Sequence, residues 1–365
     1  MDPPLNLTAR TRVLSLSQRQ SHIDIQATAV VPASPPPAVA EPLSGQIRAL
    51  ASRIVAARAR DAAVMLFYGA HVVKNGCVRL LAELIRDGWV THLATQGAGI
   101  VHDWEFAYAG VSSESVRENA PIGRFGTWDE VGRAINLAAL DGAARGMGLG
   151  ESVGGFIAKD GIEPPNDRDL KHLIETEPDH LLTAARADLL HAAIKDTDCS
   201  LHHRFPEFSI AHTAVEHCVP LTAHPGIGYD IFACHPRFHP AAIGRTAGHD
   251  FQRFVAAMGQ LGGGVYMSVG SAIASPQVFE KAFSIANNLR DQEGKPPLGD
   301  HHVAIVDIQD SGGWDWQTGE PPVNHAAYYL RFCKTFHRLA PGAVSYLQAD
   351  NRAVLHGLVH ELRGS

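Results

Sequence analysis

Apolar and polar positions in this chain fall into two repeating kinds of stretch. Short runs in which nearly every residue is apolar, such as Val64 to Tyr68, alternate with segments that place apolar residues at helical spacing, such as Val78, Leu81 and Ile85. Runs without a polar face belong to strands buried on both sides, and the 3.6-residue period belongs to helices packed on such a sheet. The first run ends at Gly69, the helical stretch follows, and a second apolar run leads into the turn Gly97-Ala98-Gly99. Strand, helix, strand and glycine turn make a βαβ unit of a parallel sheet.

The same alternation continues. Ile47, Leu50 and Ile54 share one face of a helix that starts near Ser44, and helices are predicted over 128–142 and 179–194. Cys218 to Thr222 and Gly263 to Val269 read as strands, and Ser275-Pro276 as a helix start with an N-cap residue and a first-turn proline. Val303 to Ile308 is a buried-type strand, 324–338 a helix, and Val344 to Leu347 the last strand before a terminal helix. Strands alternating with helices predict an α/β fold with a doubly wound, mostly parallel, Rossmann-like sheet. Residues 1–43, with the run Pro32-Ala33-Ser34-Pro35-Pro36-Pro37, read as an irregular arm, and 44–365 as a single domain.

Composition narrows the class. With 365 residues, 45% of them hydrophobic, the chain can bury a large core. A formal net charge of −7 and the lack of a basic stripe argue against nucleic acid. Five cysteines without a CxxC pair argue for a reducing compartment. No apolar run reaches membrane-spanning length and the N-terminus lacks a secretory pattern, so the expected location is cytoplasmic.

In parallel sheets ligands bind beyond the carboxyl ends of the strands, which directs attention to the loops there. Gly97-Ala98-Gly99-Ile100-Val101-His102 is one glycine short of a dinucleotide fingerprint, so it is either a cofactor turn or an ordinary strand-to-helix turn. Gly262-Gly263-Gly264 either lets a backbone approach a ligand or makes a sharp bend. Asp350, after the last strand, suits a ribose hydroxyl or a helix N-cap, and both can hold. Asp307, Asp310, Asp315 and Glu320 lie beside Trp314 and Trp316, a composition suited to an ammonium ligand or to a solvated acidic loop. Lys334 follows Tyr328, Tyr329 and Phe332, and is either an imine-forming amine in an apolar setting or a lysine reaching out of a half-buried helix. The 21 histidines show no spacing that fits a structural zinc site, and no metal is expected.

The order of these segments resembles the deoxyhypusine synthase family over most of residues 62–360, at low identity. The most specific piece is Arg117-Glu118-Asn119 followed by Gly123-Arg124-Phe125-Gly126, which resembles the family's RENG-I-N-R-I-G stretch. Leu261-Gly262-Gly263-Gly264-Val265 looks like its LGGGV segment, and Ala349-Asp350 like its ADAS end. The resemblance implies a Rossmann-like homotetramer that binds NAD, oxidises a polyamine and passes an aminobutyl group through a lysine imine. Carried over by position, the NAD loop is Gln96, Gly97, Ala98 and Gly99, the ribose carboxylate Asp350, the lysine Lys334, and a substrate carboxylate Asp230. This chain departs from the pattern where Tyr266-Met267-Ser268-Val269 follows the glycine triplet and where Phe332-Cys333 precedes Lys334. His71 and His102 also stand where the family has other residues.

The expectation is therefore an NAD-dependent enzyme with a rebuilt substrate pocket, removing hydride from a small substrate such as an amine. His71 and His102 are the candidate bases, since imidazole titrates near neutral pH. Gly263 and Gly264 join the cofactor loop, and Lys74, Asp103, Asp230, Asp310 and Asp315 the substrate side. An aminobutyl transferase using Lys334 is the second reading, and a silent NAD-binding scaffold the third.

Overall fold

The computed structural model of the chain describes residues 6–192 and 199–364. It groups into two compact units. One, here the helical unit, comprises Met1–Ala27, Ile100–Glu216 and Pro225–Asp250; the other, the sheet unit, comprises Thr28–Gly99, His217–His224 and Phe251–Ser365.

The sheet unit is built on six parallel strands: β1 (Val64–Tyr68), β2 (His92–Gln96), β3 (Leu221–His224), β4 (Val265–Val269), β5 (His302–Asp307) and β6 (Val344–Gln348). Their spatial order is β3-β2-β1-β4-β5-β6. The chain thus winds outward from β1 in one direction, returns to the centre, and winds outward in the other, which is the doubly wound arrangement. Register is fixed along the β1–β4 pair, with Val64 opposite Val265 and Tyr68 opposite Val269.

All five residues of β1 and of β4 are buried, as unbroken apolar runs at the centre of a parallel sheet should be. Alternate residues point to opposite faces. Met65, Phe67, Tyr266, Val303, Ile305 and Val344 form one core with Phe279, Phe283, Phe332 and Phe336 from helices Ala274–Gln292 and Arg331–Leu339. Helices Leu43–Arg58 and Asn351–Arg363 pack together, and Ile47 lies against Gly357. The proline run is tied to the latter helix: His356 Nε2 meets the Ser34 carbonyl at 2.9 Å, and Arg363 donates to the Pro32 carbonyl at 2.7 Å.

The helical unit contains helices Asp129–Arg145, Leu149–Ala158, Asp167–Thr176, Thr183–His191 and Ile210–Glu216. Leu149–Ala158 crosses Ile210–Glu216 closely at Gly154, where a Cβ would stand 2.4 Å from the Ala211 carbonyl oxygen. A two-residue strand, Ile23–Asp24, pairs antiparallel with Val111–Ser112.

Several boundaries differ from the expectation for local reasons. The strand expected from Cys218 begins at Leu221, because Cys218 takes φ 53° and Pro220 intervenes. The helix expected over 324–338 is divided at Leu330 into a 3₁₀ turn, Ala326–Tyr329, and the helix Arg331–Leu339. Ser275 is not a cap: its hydroxyl meets the Tyr266 hydroxyl at 2.8 Å, while its backbone N–H donates to Ser271 Oγ. The helix expected over 179–194 runs Thr183–His191, and its last two predicted positions lie outside the described residues.

Gly99 shows how tightly a helix leaves its strand. A Cβ there would fall 2.0 Å from Thr95 Oγ1, a hydroxyl already donating to the Tyr68 carbonyl at 2.8 Å. Gly99→Ala is expected to lower stability by about 1–3 kcal/mol, the usual range for overpacking, as measured by the urea midpoint. An unchanged midpoint would contradict this packing.

Candidate functional site

The carboxyl ends of the six strands lie along one edge of the sheet unit, because all six are parallel. At the centre, β1 ends in Gly69 and β4 in Gly270. Connections leave these neighbours in opposite directions, which makes this the switch point of the sheet. A Cβ at Gly69 would stand 1.9 Å from the Gly270 carbonyl oxygen, and Gly270 itself has φ 61°. The Gly69 N–H donates to the Val269 carbonyl at 2.9 Å. Neither turn carries a side chain into this crevice, so backbone is what a ligand meets there.

Around the crevice stand several of the residues singled out from the sequence. His71 is exposed on the short helix Ala70–Lys74, with Lys74 half-buried at its end. Gln96 closes β2, and Gly97 and Ala98 open the helix Gly97–Ala109. Asp350 caps the helix Asn351–Arg363, its Oδ1 accepting from the Arg352 N–H at 2.8 Å and from Arg352 Nε at 3.4 Å. Its side chain is 48% exposed, so the carboxylate is both a cap and reachable.

Other expected site residues lie elsewhere or are spoken for. Gly263 and Gly264 precede β4 and sit at its amino end, where a Cβ on Gly264 would meet the Ala63 carbonyl at 2.1 Å. They form a sharp bend at the edge opposite the crevice. Asp307, Asp310 and Asp315 each accept a backbone N–H two residues on, from Gln309, Gly312 and Gln317, at 3.0, 2.8 and 2.9 Å. Glu320 accepts from Arg338 at 2.9 Å, Trp314 Nε1 donates to the Gly319 carbonyl, and Trp316 is buried. This stretch is a run of side-chain-stabilised turns. Lys334 Nζ lies 3.5 Å from the Tyr328 ring centroid, so its ammonium rests on that aromatic face.

In the helical unit, Asp103 is fully buried and accepts from Ser209 Oγ at 2.6 Å, Ile210 N at 2.6 Å and Ala211 N at 3.2 Å. Burial pushes it up to about 6, although those three donors favour its ionised form. It caps the helix Ile210–Glu216 and is not open to a substrate. Asp230 is 4% exposed, and its Oδ2 accepts from the Gly226 N–H at 2.8 Å, closing the turn after His224. It also borders a cavity of about 600 Å³ lined by Thr8, Thr127, Tyr229 and Cys234.

His102 belongs to a buried relay that the sequence did not reveal. Its Nδ1 meets Ser112 Oγ at 2.7 Å, Ser112 donates to Glu105 Oε2, and Arg19 pairs with Glu105 Oε1 at 2.5 Å. Burial alone would raise the Glu105 carboxyl, but the His102 bond and the Arg19 guanidinium hold it at about 2. Because Ser112 spends its single proton on Glu105, His102 Nδ1 must carry a proton. The ring is 17% exposed. Among the described residues no three His, Cys, Asp or Glu side chains are grouped to hold a metal ion, and no helix is long and apolar enough to cross a membrane.

No family model and no curated protein matches this chain. Solved structures similar to it include apo ArgZ, an arginine dihydrolase from the ornithine-ammonia cycle in cyanobacteria (12% identity, TM-score 0.47, covering 89% of this chain and 33% of that one). Others are the ternary complex of AgrE with ornithine and NAD+ (13%, 0.45, 89% and 34%) and a conserved putative LOR/SDH protein from Methanococcus maripaludis S2 (11%, 0.45, 90% and 76%). The chain spans about a third of the length of the first two. At these TM-scores the likeness carries no argument about activity. None of these neighbours is a deoxyhypusine synthase, so the resemblance to that family does not hold, and the tetramer and aminobutyl transfer it implied lose that support. Its most specific segment has a structural explanation: Glu114 accepts from Asn119 Nδ2 at 2.6 Å, the Gly126 N–H at 3.0 Å and Trp128 Nε1 at 2.8 Å, locking the loop. Glycine turns at strand ends recur in α/β sheets of many kinds.

Two outcomes follow from these contacts. Asp350→Ala is expected to cost about 1 kcal/mol of stability through the lost cap, read as a urea midpoint. Glu105→Gln should cost about 3–5 kcal/mol at neutral pH, because it leaves Arg19 charged and buried. Glu105 is depressed in the folded state, so its contribution is present above its ordinary value of 4.5 and is lost as pH falls toward about 2. The stability gap between wild type and Glu105→Gln should therefore narrow across that window; a gap independent of pH would contradict the assignment.

Proposed function

We propose that the protein is an NAD-linked enzyme that removes hydride from a small substrate. The observation that supports this most is the sheet itself: strands in the order 3-2-1-4-5-6, with two glycine turns meeting at the switch point. Dinucleotides bind across such a point, where backbone can approach the pyrophosphate. The residues there suit the group, since Gly69 and Gly270 bring no side chains to the point where a pyrophosphate would lie.

When bound, the nicotinamide supplies the hydride acceptor. The chain's part is to orient and to move a proton. Gln96 and the backbone of Gly97 and Ala98 border one side of the edge. Asp350, with Oδ1 committed to the cap, offers Oδ2 to a ribose hydroxyl. His71, exposed two residues beyond Gly69, is the group within this unit suited to accept the proton that leaves the substrate as hydride departs. An amine is the first substrate class to screen, because Asp307, Asp310 and Asp350 give this edge an acidic character.

Titration calorimetry with NAD is the first test, and no heat at millimolar cofactor would end this reading. With binding established, NADH formation is screened over amines, amino acids and hydroxy acids. His71→Ala should reduce the rate about a hundredfold or more while leaving NAD affinity within a few-fold. Binding without turnover of any substrate would favour the scaffold reading instead.

A further inference from the structure

The first residue of the last helix, Asn351, lies beside the switch point. Its side chain is 8% exposed, yet only one end of its amide is occupied. Oδ1 accepts from Asn75 Nδ2 at 3.1 Å and from the Cys77 thiol at 3.8 Å. Nδ2 donates to no atom among the described residues, and it stands 3.7 Å from where a Cβ on Gly270 would be. Both neighbours of Oδ1 are donors. The Cys77 thiol is pushed up to about 12 by burial, and the Asp350 charge adds to this, so it keeps its proton. In this arrangement the amide presents its oxygen to Asn75 and Cys77 and its two N–H donors toward Gly270.

Nδ2 is not one of the buried polar atoms left without a partner, so it reaches solvent in the free protein, and a ligand acceptor can take the place of water there. The group expected at the centre of the switch point is the pyrophosphate, whose oxygens are strong acceptors, and Gly270 places no side chain between it and Nδ2. We propose that Asn351 is a pyrophosphate-binding residue, held by Asn75 and Cys77 so that Nδ2 donates into the crevice beside Gly270. This rests on the NAD reading above and adds to it a residue that no sequence motif singles out.

Asn351→Asp tests it with little change of shape. The variant keeps an oxygen for Asn75 and Cys77 to donate to, and replaces the donor with an anionic acceptor that repels phosphate. Affinities of wild type and variant for NAD and for ADP-ribose are measured by calorimetry, with urea midpoints alongside. The expected result is at least tenfold weaker binding of both ligands by the variant. Affinity within twofold of wild type would overturn the proposal, and so would weakening confined to NAD, since ADP-ribose carries the same pyrophosphate. If Asn351→Asp does not fold, Asn75→Ala takes its place: it releases one anchor of the amide and should weaken both ligands several-fold, and unchanged binding would overturn the proposal. Failure of the wild type to bind NAD or ADP-ribose overturns the NAD reading, and this assignment with it.

Discussion

Two backbones that nearly touch set the limits of this molecule's working edge. Gly69 and Gly270 end neighbouring central strands, and the hydrogen of the first lies against the carbonyl of the second, leaving no space for a Cβ. The contact exists because β1 and β4 are in register from Val64 and Val265 to Tyr68 and Val269, so both strands end at the same level. From that level the connections diverge, one toward β2 and the other toward β5. Bare backbone at the centre of that edge is the consequence. His71, Asp350 and Asn351 come from segments that start where a strand stops, and Gln96 is the last residue of its strand.

Much of the polar chemistry elsewhere in the chain holds the fold together. Asp103 and Glu114 each collect three donors and Asp230 accepts from the Gly226 N–H, and each fixes a turn or a helix start. Buried carboxylates do this well because an ionised oxygen accepts strongly and an unpaired buried N–H is costly. The Arg19–Glu105–Ser112–His102 relay is of a different kind. It leaves one ring nitrogen of a partly exposed histidine unassigned to the relay, with the other nitrogen's proton fixed by hydroxyl stoichiometry. That is a device for setting a tautomer.

The alternation of apolar runs and helical periods was enough to place the six strands and several of the helices, but not Leu149–Ala158, Asp167–Thr176, Ile210–Glu216 or the 19-residue Pro240–Met258. Val64–Tyr68 falls where the pattern put it, and β4, β5 and β6 agree within a residue or two. Boundaries moved where a single backbone angle overruled the pattern, as at Cys218 and Leu330. The glycine near-fingerprint at Gly97 was legible as a turn, and Asp350 as a cap, because both roles depend on neighbours in sequence. The family resemblance was not sound, since it was assembled from short turn-forming segments that many parallel sheets share.

What the sequence determined by itself was local: which stretches are strands, which are helices, and where small residues permit a turn. Periodicity carries that information because strand and helix differ in how often a side chain returns to the same face. The tertiary structure alone decided which strand ends are neighbours. It sent Gly263 and Gly264 to the amino edge while bringing Gly270 to Gly69. It also joined Asn75, Cys77 and Asn351, residues separated by more than 270 positions, around one amide. Such meetings depend on strand order and winding, and neither leaves a period in the chain.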